Sequence, residues 1–344
     1  MKILVTGGAG FIGSHVAEFY ANKGNEVVVY DNLSRAKLLN RSDKNAMYNW
    51  NFLKQKGNIS LVKGDIRDFS ELKRQTKDAD IIIHTAAQTA VTTSITEPAT
   101  DFDVNARGTF NVMEAARQNN VRQVLYCSTN KVYGDNVNKV GVRKGNNRYV
   151  FESKYRKGIP EHFETNLNEH TPYGCSKLAG DLYVQDYSYL YGLKTGVFRM
   201  SCIYGTRQFG VEDQGWVAWF IIATLTGKPL TIYGDGLQVR DILYVDDLVR
   251  LYDCFVKSKL TRGVFNIGGG YRNTISLLEL LELLREFTGK KPGLSFDKWR
   301  PSDQKVYVSD ITNAKRALAW EPRITPREGI KMLIDWVSEN KRRF

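Results

Sequence analysis

The chain has 344 residues, 42% of them hydrophobic and 25% charged, with a net charge of +12. That composition fits one large or two modest globular domains and excludes a largely disordered chain. No run approaches 18 apolar residues, so no membrane-spanning helix and no membrane partner are expected.

The N-terminal "MKILVTGG" carries a single Lys and a short apolar run before its glycines, which does not read as a signal peptide. Cys127, Cys175, Cys202 and Cys254 are widely spaced with no C-x-x-C pair, so neither a disulfide framework nor a metal site is expected. A cytoplasmic setting is the simple expectation. The basic residues are scattered rather than blocked together. An anionic small substrate or a merely basic surface accounts for the charge, and no nucleic-acid partner is expected.

In chain order, "KILVTG", "EVVVYD", "ISLVKGD", "ADIIIHTAA" and "RQVLYCST" read as strands. Their continuous apolar character predicts strands buried on both faces, as in a parallel sheet. "FIGSHVAEFYANKG" and "ARGTFNVMEAARQNN" read as helices between them, and "TGVFRMSCIYG" (195–205) as a sixth strand. The alternation predicts an α/β, doubly wound parallel sheet of the Rossmann type. After about residue 205 turns become frequent ("YGDG", "NIGGG", "KKPG"), which predicts a second, smaller mixed α/β domain. "RDILYVDDLVRLYDCFV" (240–256) reads as a strand and helix returning to the first domain. The expected boundaries are 1–204 plus about 239–260 for the first domain, and about 205–238 plus 261–344 for the second. Residues 136–170 are polar and weakly periodic, a connection long enough to be functional or disordered.

"TGGAGFIG" places Gly7, Gly10 and Gly13 after a strand and at the start of a helix. Such glycines permit a sharp turn and close backbone approach to a pyrophosphate at the helix N-terminus. Asp31 follows Gly13 by 18 residues and ends "EVVVYD". A carboxylate there accepts hydrogen bonds from a ribose diol and repels a 2′-phosphate, favouring NAD, while Arg35 keeps NADP open. "GDIRD" offers Asp65 and Ile66 at a third strand end, beside the expected adenine.

In "TPYGCSK", Tyr173 and Lys177 are four residues apart and share a helix face. A lysine beside the phenol is expected to lower its pKa and make Tyr173 a base for a sugar hydroxyl. "CST" ends a strand about 45 residues earlier with Ser128 and Thr129.

With these motifs the chain resembles the extended short-chain dehydrogenase/reductase family, in particular its NAD-dependent nucleotide-sugar epimerases and dehydratases. The resemblance runs through "HTAAQ" (84–88), "NARGTFNVMEAA" (105–116), "STNKVYG" (128–134), "FRMSCIYG" (198–205), "VRDILYVDDL" (239–248), "FNIGGG" (265–270) and "RPSDQ" (300–304). It implies an NAD-binding first domain and a nucleotide-sugar-binding second domain. It implies that Thr129 joins Tyr173 and Lys177 as the catalytic set. NAD, retained through the cycle, would be held by Gly7, Gly10, Phe11, Ile12, Gly13, Asp31, Asn32, Asp65, Ile66, Ala86, Ala87, Gln88, Asn105, Ser128, Tyr173 and Lys177. Thr129, Asn130, Lys131, Arg207, Gln208, Arg240, Arg300 and Asp303 would face the substrate. Paired guanidinium groups such as Arg240 and Arg300 suit a diphosphate. The resemblance also implies a homodimer or homotetramer through helices at roughly 101–118 and 175–191.

The residues after Thr129 bear on the reaction. The 4,6-dehydratases resemble "S-T-D-E-V-Y-G", with an acidic pair that expels water. Here the slots hold Asn130 and Lys131, and Asn130 cannot act as a general acid. Epimerisation is the expectation that remains. "AVTTSI" (90–95), "TRQFGVEDQGW" (206–216) and "GLQVRD" (236–241) are most similar to the CDP-paratose (CDP-tyvelose) 2-epimerases. That branch implies inversion at C2 of a CDP-sugar through a 2-keto sugar. Alternatives are a 4-epimerase, C4 oxidation with proton shuffling through Lys131 as a further acid/base candidate, and a non-catalytic NAD-dependent sensor.

Overall fold

The structure is a computed structural model that describes residues 1–35, 45, 47–300 and 302–344. Pro301 of "RPSDQ" lies outside the described residues. The chain forms two compact units. The first comprises Met1–Val132, Thr171–Arg199 and Val249–Phe265; the second comprises Tyr133–His170, Met200–Leu248 and Asn266–Phe344.

The first unit is built on five strands, β1 (Lys2–Thr6), β2 (Glu26–Asp31), β3 (Ile59–Lys63), β4 (Ile81–His84) and β5 (Gln123–Thr129). With Lys194–Met200 and Arg262–Ile267 they make a seven-stranded sheet, ordered Arg262–Ile267, Lys194–Met200, β5, β4, β1, β2, β3. β1 runs parallel to both β2 and β4, and β4 parallel to β5. All four residues of β4, "IIIH", are buried, which explains why the strand reads as an unbroken apolar run. Helices Gly108–Gln118 and Pro172–Tyr191 pack Val112, Met113, Val184 and Tyr187 into one core with Leu4, Ile82 and Tyr126. Strand order reverses between β1 and β4, and in open α/β sheets the crevice at that reversal takes the ligand.

The second unit centres on Val239–Tyr244. That strand pairs with Thr274–Ser276 antiparallel and with Val306–Tyr307 and Cys202–Tyr204 parallel. Helices Leu277–Thr288 and Pro326–Glu339 each start with a capping box, Ser276/Glu279 and Thr325/Glu328. Residues 142–151 form a hairpin of Val142–Lys144 against Tyr149–Phe151.

These units cut the chain differently from the sequence-based boundaries. The 195–205 run is two strands, Lys194–Met200 in the large sheet and Cys202–Tyr204 in the second unit, with Ser201 between them. The expected return at 240 comes later, because Val239–Tyr244 finds its partners in the second unit; the first unit resumes at Val249. Residues 136–170 also belong to the second unit, where Tyr149 N donates to Leu237 O and Ile159 N to Val308 O. Among the described residues no helix is long and apolar enough to cross a membrane.

Candidate active site

The glycine turn follows β1 and opens the helix Phe11–Asn22, α1. Gly7 has φ +67°, and a Cβ there would stand 2.6 Å from Ala86 Cα. A Cβ on Gly13 would stand 2.3 Å from Gly7 O. The turn is thus pressed against the segment that follows β4, and side chains are excluded at Gly7 and Gly13. Gly10 stands at the N-cap of α1, which brings no side chain to the helix's first N–H groups. Phe11 packs edge-on to His15 within the same helix.

Asp31 ends β2 and reaches back to this turn. Its Oδ2 accepts from Ala9 N at 3.0 Å and its Oδ1 from Leu33 N at 2.7 Å. Burial raises its pKa, and those backbone donors oppose the rise. Asp65 accepts from Asn32 Nδ2 at 2.9 Å and from Arg67 Nε and Nη2 at 2.9 and 2.7 Å. Burial acts to raise its pKa, but the Arg67 and Asn32 hydrogen bonds prevail and bring it down to about 2. Ile66 is buried, with its Cδ1 2.5 Å from where a Cβ of Gly108 would lie.

The strand end at 127–129 meets the helix Pro172–Tyr191 residue by residue. Thr171 caps that helix by accepting from Gly174 N at 3.3 Å. Lys177 Nζ donates to Cys127 O at 2.6 Å and sits 4.2 Å from the Tyr126 ring centroid. Ser128 Oγ donates to Asp181 Oδ2 at 2.6 Å. Thr129 hydrogen-bonds Tyr173. Tyr173, Lys177 and Asp181 recur every four residues, so one helix face engages three consecutive strand residues. Lys131 N donates to Thr129 Oγ1 at 3.3 Å, and the Lys131 side chain is half-buried.

The expected lowering of the Tyr173 pKa is not what the structure gives. Burial raises the phenol to about 12, with the Thr129 hydrogen bond the one effect that lowers it. Lys177 is turned to a backbone carbonyl instead, and burial lowers its own pKa to about 8. The shared helix face is present, but desolvation outweighs the charge.

A second buried network braces the same helix. Asn105 lies in a π-helical turn, Asp103–Arg107. Its Oδ1 accepts from Gln88 N at 2.9 Å, and its Nδ2 donates to Gln88 O at 3.0 Å and Asp101 Oδ1 at 3.1 Å. Ser176 Oγ donates to the other oxygen of Asp101. His84, at the end of β4, is fully enclosed. Thr109 Oγ1 donates to Asn105 O at 2.6 Å, so it accepts from His84 Nε2 at 3.0 Å. That leaves Nδ1 to accept from Thr6 Oγ1 at 2.7 Å. Burial, helped by the Lys177 charge, lowers the His84 pKa to about 3 and keeps the ring neutral.

In the second unit Arg240 Nη2 donates to Asp303 Oδ1 at 2.6 Å. Arg300 Nη2 lies 2.9 Å from Asp213 Oδ1, with its guanidinium stacked 3.9 Å over Tyr233. Arg207 is buried with φ +60°. Gln208 Nε2 donates to Ile203 O at 3.3 Å, while its Oε1 is buried without a partner.

Sequence reasoning singled out Tyr173, Lys177 and Thr129, and the structure brings them together at one strand–helix junction. It did not single out Asp181, Arg199, Asp101, Ser176 or His84. The available signal for Asp181 was its place eight residues after Tyr173 on the same helix face.

The chain has relatives among known proteins. Residues 3–268 match the family model of the NAD dependent epimerase/dehydratase family. The chain is 41% identical over 98% of its length, and 99% of the relative's, to CDP-paratose 2-epimerase of Salmonella typhi. It is 33% identical to UDP-glucuronate 4-epimerase of Thermodesulfobacterium geofontis, over 98% of this chain and 96% of that one. The crystal structure of UDP-glucose 4-epimerase with UDP-glucose from Thermotoga maritima superposes with a TM-score of 0.82 at 32% identity, covering 99% of this chain and all of that one. UDP-glucuronic acid 4-epimerase from Bacillus cereus, solved with UDP-glucuronic acid and NAD, gives a TM-score of 0.82 at 28% identity over 99% of this chain and all of that one. The chain belongs to the NAD-dependent epimerase/dehydratase family, and NAD is its cofactor.

Proposed function

We propose that this enzyme inverts C2 of a nucleotide-diphosphate sugar, with a CDP-linked sugar as the favoured substrate and NAD retained through the cycle. The observation that carries the proposal is the Thr129–Tyr173 pair followed by Asn130 and Lys131. The pair handles one hydroxyl proton, and Asn130 offers no acid to expel water. The Salmonella typhi relative, named for the same reaction, supports C2 and CDP.

NAD, when bound, supplies a reversible hydride acceptor and a fixed positive charge. Tyr173 takes the proton of the C2 hydroxyl as that carbon is oxidised, while Thr129 holds the same oxygen. The flat keto sugar turns its other face, and Tyr173 returns the proton as C2 is reduced. No net redox change results, and each residue ends as it began. With its phenol at about 12, Tyr173 is protonated at neutral pH in the chain alone, so its proton transfer draws on charge brought by the cofactor. Lys177 holds the β5 end through Cys127 O. Arg240 and Arg300 are assigned to the diphosphate, exchanging Asp303 and Asp213 for phosphate oxygens.

The test is incubation with CDP-, GDP- and UDP-sugars in deuterium oxide without added cofactor, followed by NMR. Inversion at C2 with no deuterium in the sugar is expected, on the CDP-sugar first. Deuterium at a sugar carbon, lost in Lys131→Met with Thr129 and Tyr173 intact, would move the chemistry to proton shuffling through Lys131. A homodimer or homotetramer is part of the proposal: Leu182, Tyr183, Leu190 and Tyr191 stand exposed on the helix Pro172–Tyr191, and light scattering reads the assembly.

A further inference from the structure

The second unit carries a cleft of about 210 Å³ that the reaction does not use. Val239, Val306 and Val308 are buried and form its floor, and Arg143, Arg156 and Tyr271 stand exposed at its rim. Val239 pairs with Val306, and Arg240 with Tyr307. Adjacent residues on a strand point to opposite faces. The cleft therefore lies on the face of the sheet opposite to Arg240, away from the group assigned to the substrate diphosphate.

Its electrostatics are one-sided. Among the described residues, three arginines and no carboxylate line it. Arg148 is already committed, to Glu279 and to Thr274 Oγ1 at 3.0 Å, and this fixes the hairpin to the sheet. Tyr149 OH is likewise spent on Asp235 Oδ2 at 2.7 Å. Arg143 and Arg156 have no hydrogen-bond or ion-pair partner among the described residues. More positive charge stands close by, with Lys305 Nζ 5.6 Å from the Tyr149 ring and the Arg272 guanidinium 5.5 Å from the Tyr271 ring. Free guanidinium groups above an apolar floor, beside an exposed phenol ring, match an anion carried on a ring. The volume suits one ring with its phosphate, below the usual range for larger ligands.

We propose that this cleft is a second ligand site, taking a phosphate monoester carried on a ring, from either a nucleoside or a sugar. The ring lies on the valine floor beside Tyr271, and the phosphate is held by Arg143 and Arg156.

Calorimetric titration with CMP, glucose 1-phosphate and inorganic phosphate tests it on the full chain. Wild type and Arg240→Ser should both bind at least one of the two monoesters at this site. The double variant R143S/R156S should bind it about tenfold more weakly or worse, with unchanged circular dichroism. Tyr271→Ala should weaken the same probe, and hydrogen exchange over 142–151 should slow on binding. CMP binding more tightly identifies a nucleotide ligand; glucose 1-phosphate binding more tightly identifies a sugar phosphate. Equal affinity in Arg240→Ser with and without R143S/R156S overturns the site, as does inorganic phosphate binding as tightly as both monoesters. The readout is binding rather than turnover, so it stands or falls apart from the C2 assignment.

Discussion

Ser128 donates its hydroxyl to Asp181 at 2.6 Å, and Asp181 is itself gripped by Arg199 through two further bonds of 2.9 and 3.0 Å. Ser128 immediately precedes Thr129, and Asp181 lies one turn beyond Lys177. The contact sets how the strand end and the helix face each other, and so where Thr129 meets Tyr173. Ser128, expected to touch the cofactor, is engaged in this brace.

Breaking the brace should therefore cost both stability and turnover. Asp181 and Arg199 are buried, with side chains 0% and 7% exposed. Asp181→Asn removes one partner of a buried ion pair, which costs about 3–5 kcal/mol. Urea titration should show that loss. Arg199→Met added to it should recover part of the stability but not the kcat, because Ser128 then faces a neutral amide with no arginine to fix it, in place of the carboxylate held by Arg199.

Tyr173→Phe should lower kcat by about 10²–10⁴ with the fold and bound NAD retained. Thr129→Ala should fall in the same direction and Thr129→Ser should recover most of the loss, since the hydroxyl rather than the methyl is used. Epimerisation followed by NMR measures all three. Cofactor binding should lower the Tyr173 pKa from about 12, seen as a phenolate difference spectrum present in wild type and absent in Tyr173→Phe.

His84 makes acid stability testable. Its pKa is about 3 in the folded chain against 6.5 when free. Between those values the unfolded chain holds a proton that the folded chain does not. The contribution is thus intact above pH 6.5 and lost as pH falls towards 3, by at most about 1.4 kcal/mol per pH unit. His84→Gln should flatten that slope in urea titrations run from pH 4 to 7.

Gly13→Ala should purify without NAD. Its Cβ would stand 2.3 Å from Gly7 O, so the turn must open before the chain can close on a pyrophosphate. Chromatography of the cofactor released by heat, compared with wild type, reads the outcome.

The sheet of the first unit was legible because buried parallel strands leave continuous apolar runs, as "IIIH" does. The Tyr173–Lys177 pair was legible because a four-residue spacing translates directly into one helix face, while Thr129 was placed beside it only by the family resemblance. Where Lys177 points was not legible, since the choice between a phenol and the Cys127 carbonyl depends on packing around Tyr126. Nor was the fate of 136–170, whose short strands are fixed by distant partners such as Leu237 and Val308 rather than by their own periodicity. Asp181 and Arg199 read as ordinary charged residues, because a buried pair and a solvated one look alike in sequence.

The order of segments along the chain has a consequence for synthesis. The sheet of the first unit takes its last two strands from Lys194–Met200 and Arg262–Ile267, and stretches of the second unit are translated before each of them. A nascent chain that has released only β1 to β5 presents an open sheet edge at β5, the strand that ends in Thr129. The first unit therefore cannot complete its sheet until Arg262–Ile267 has left the ribosome, by which point Tyr133–His170 and Met200–Leu248 of the second unit are already out.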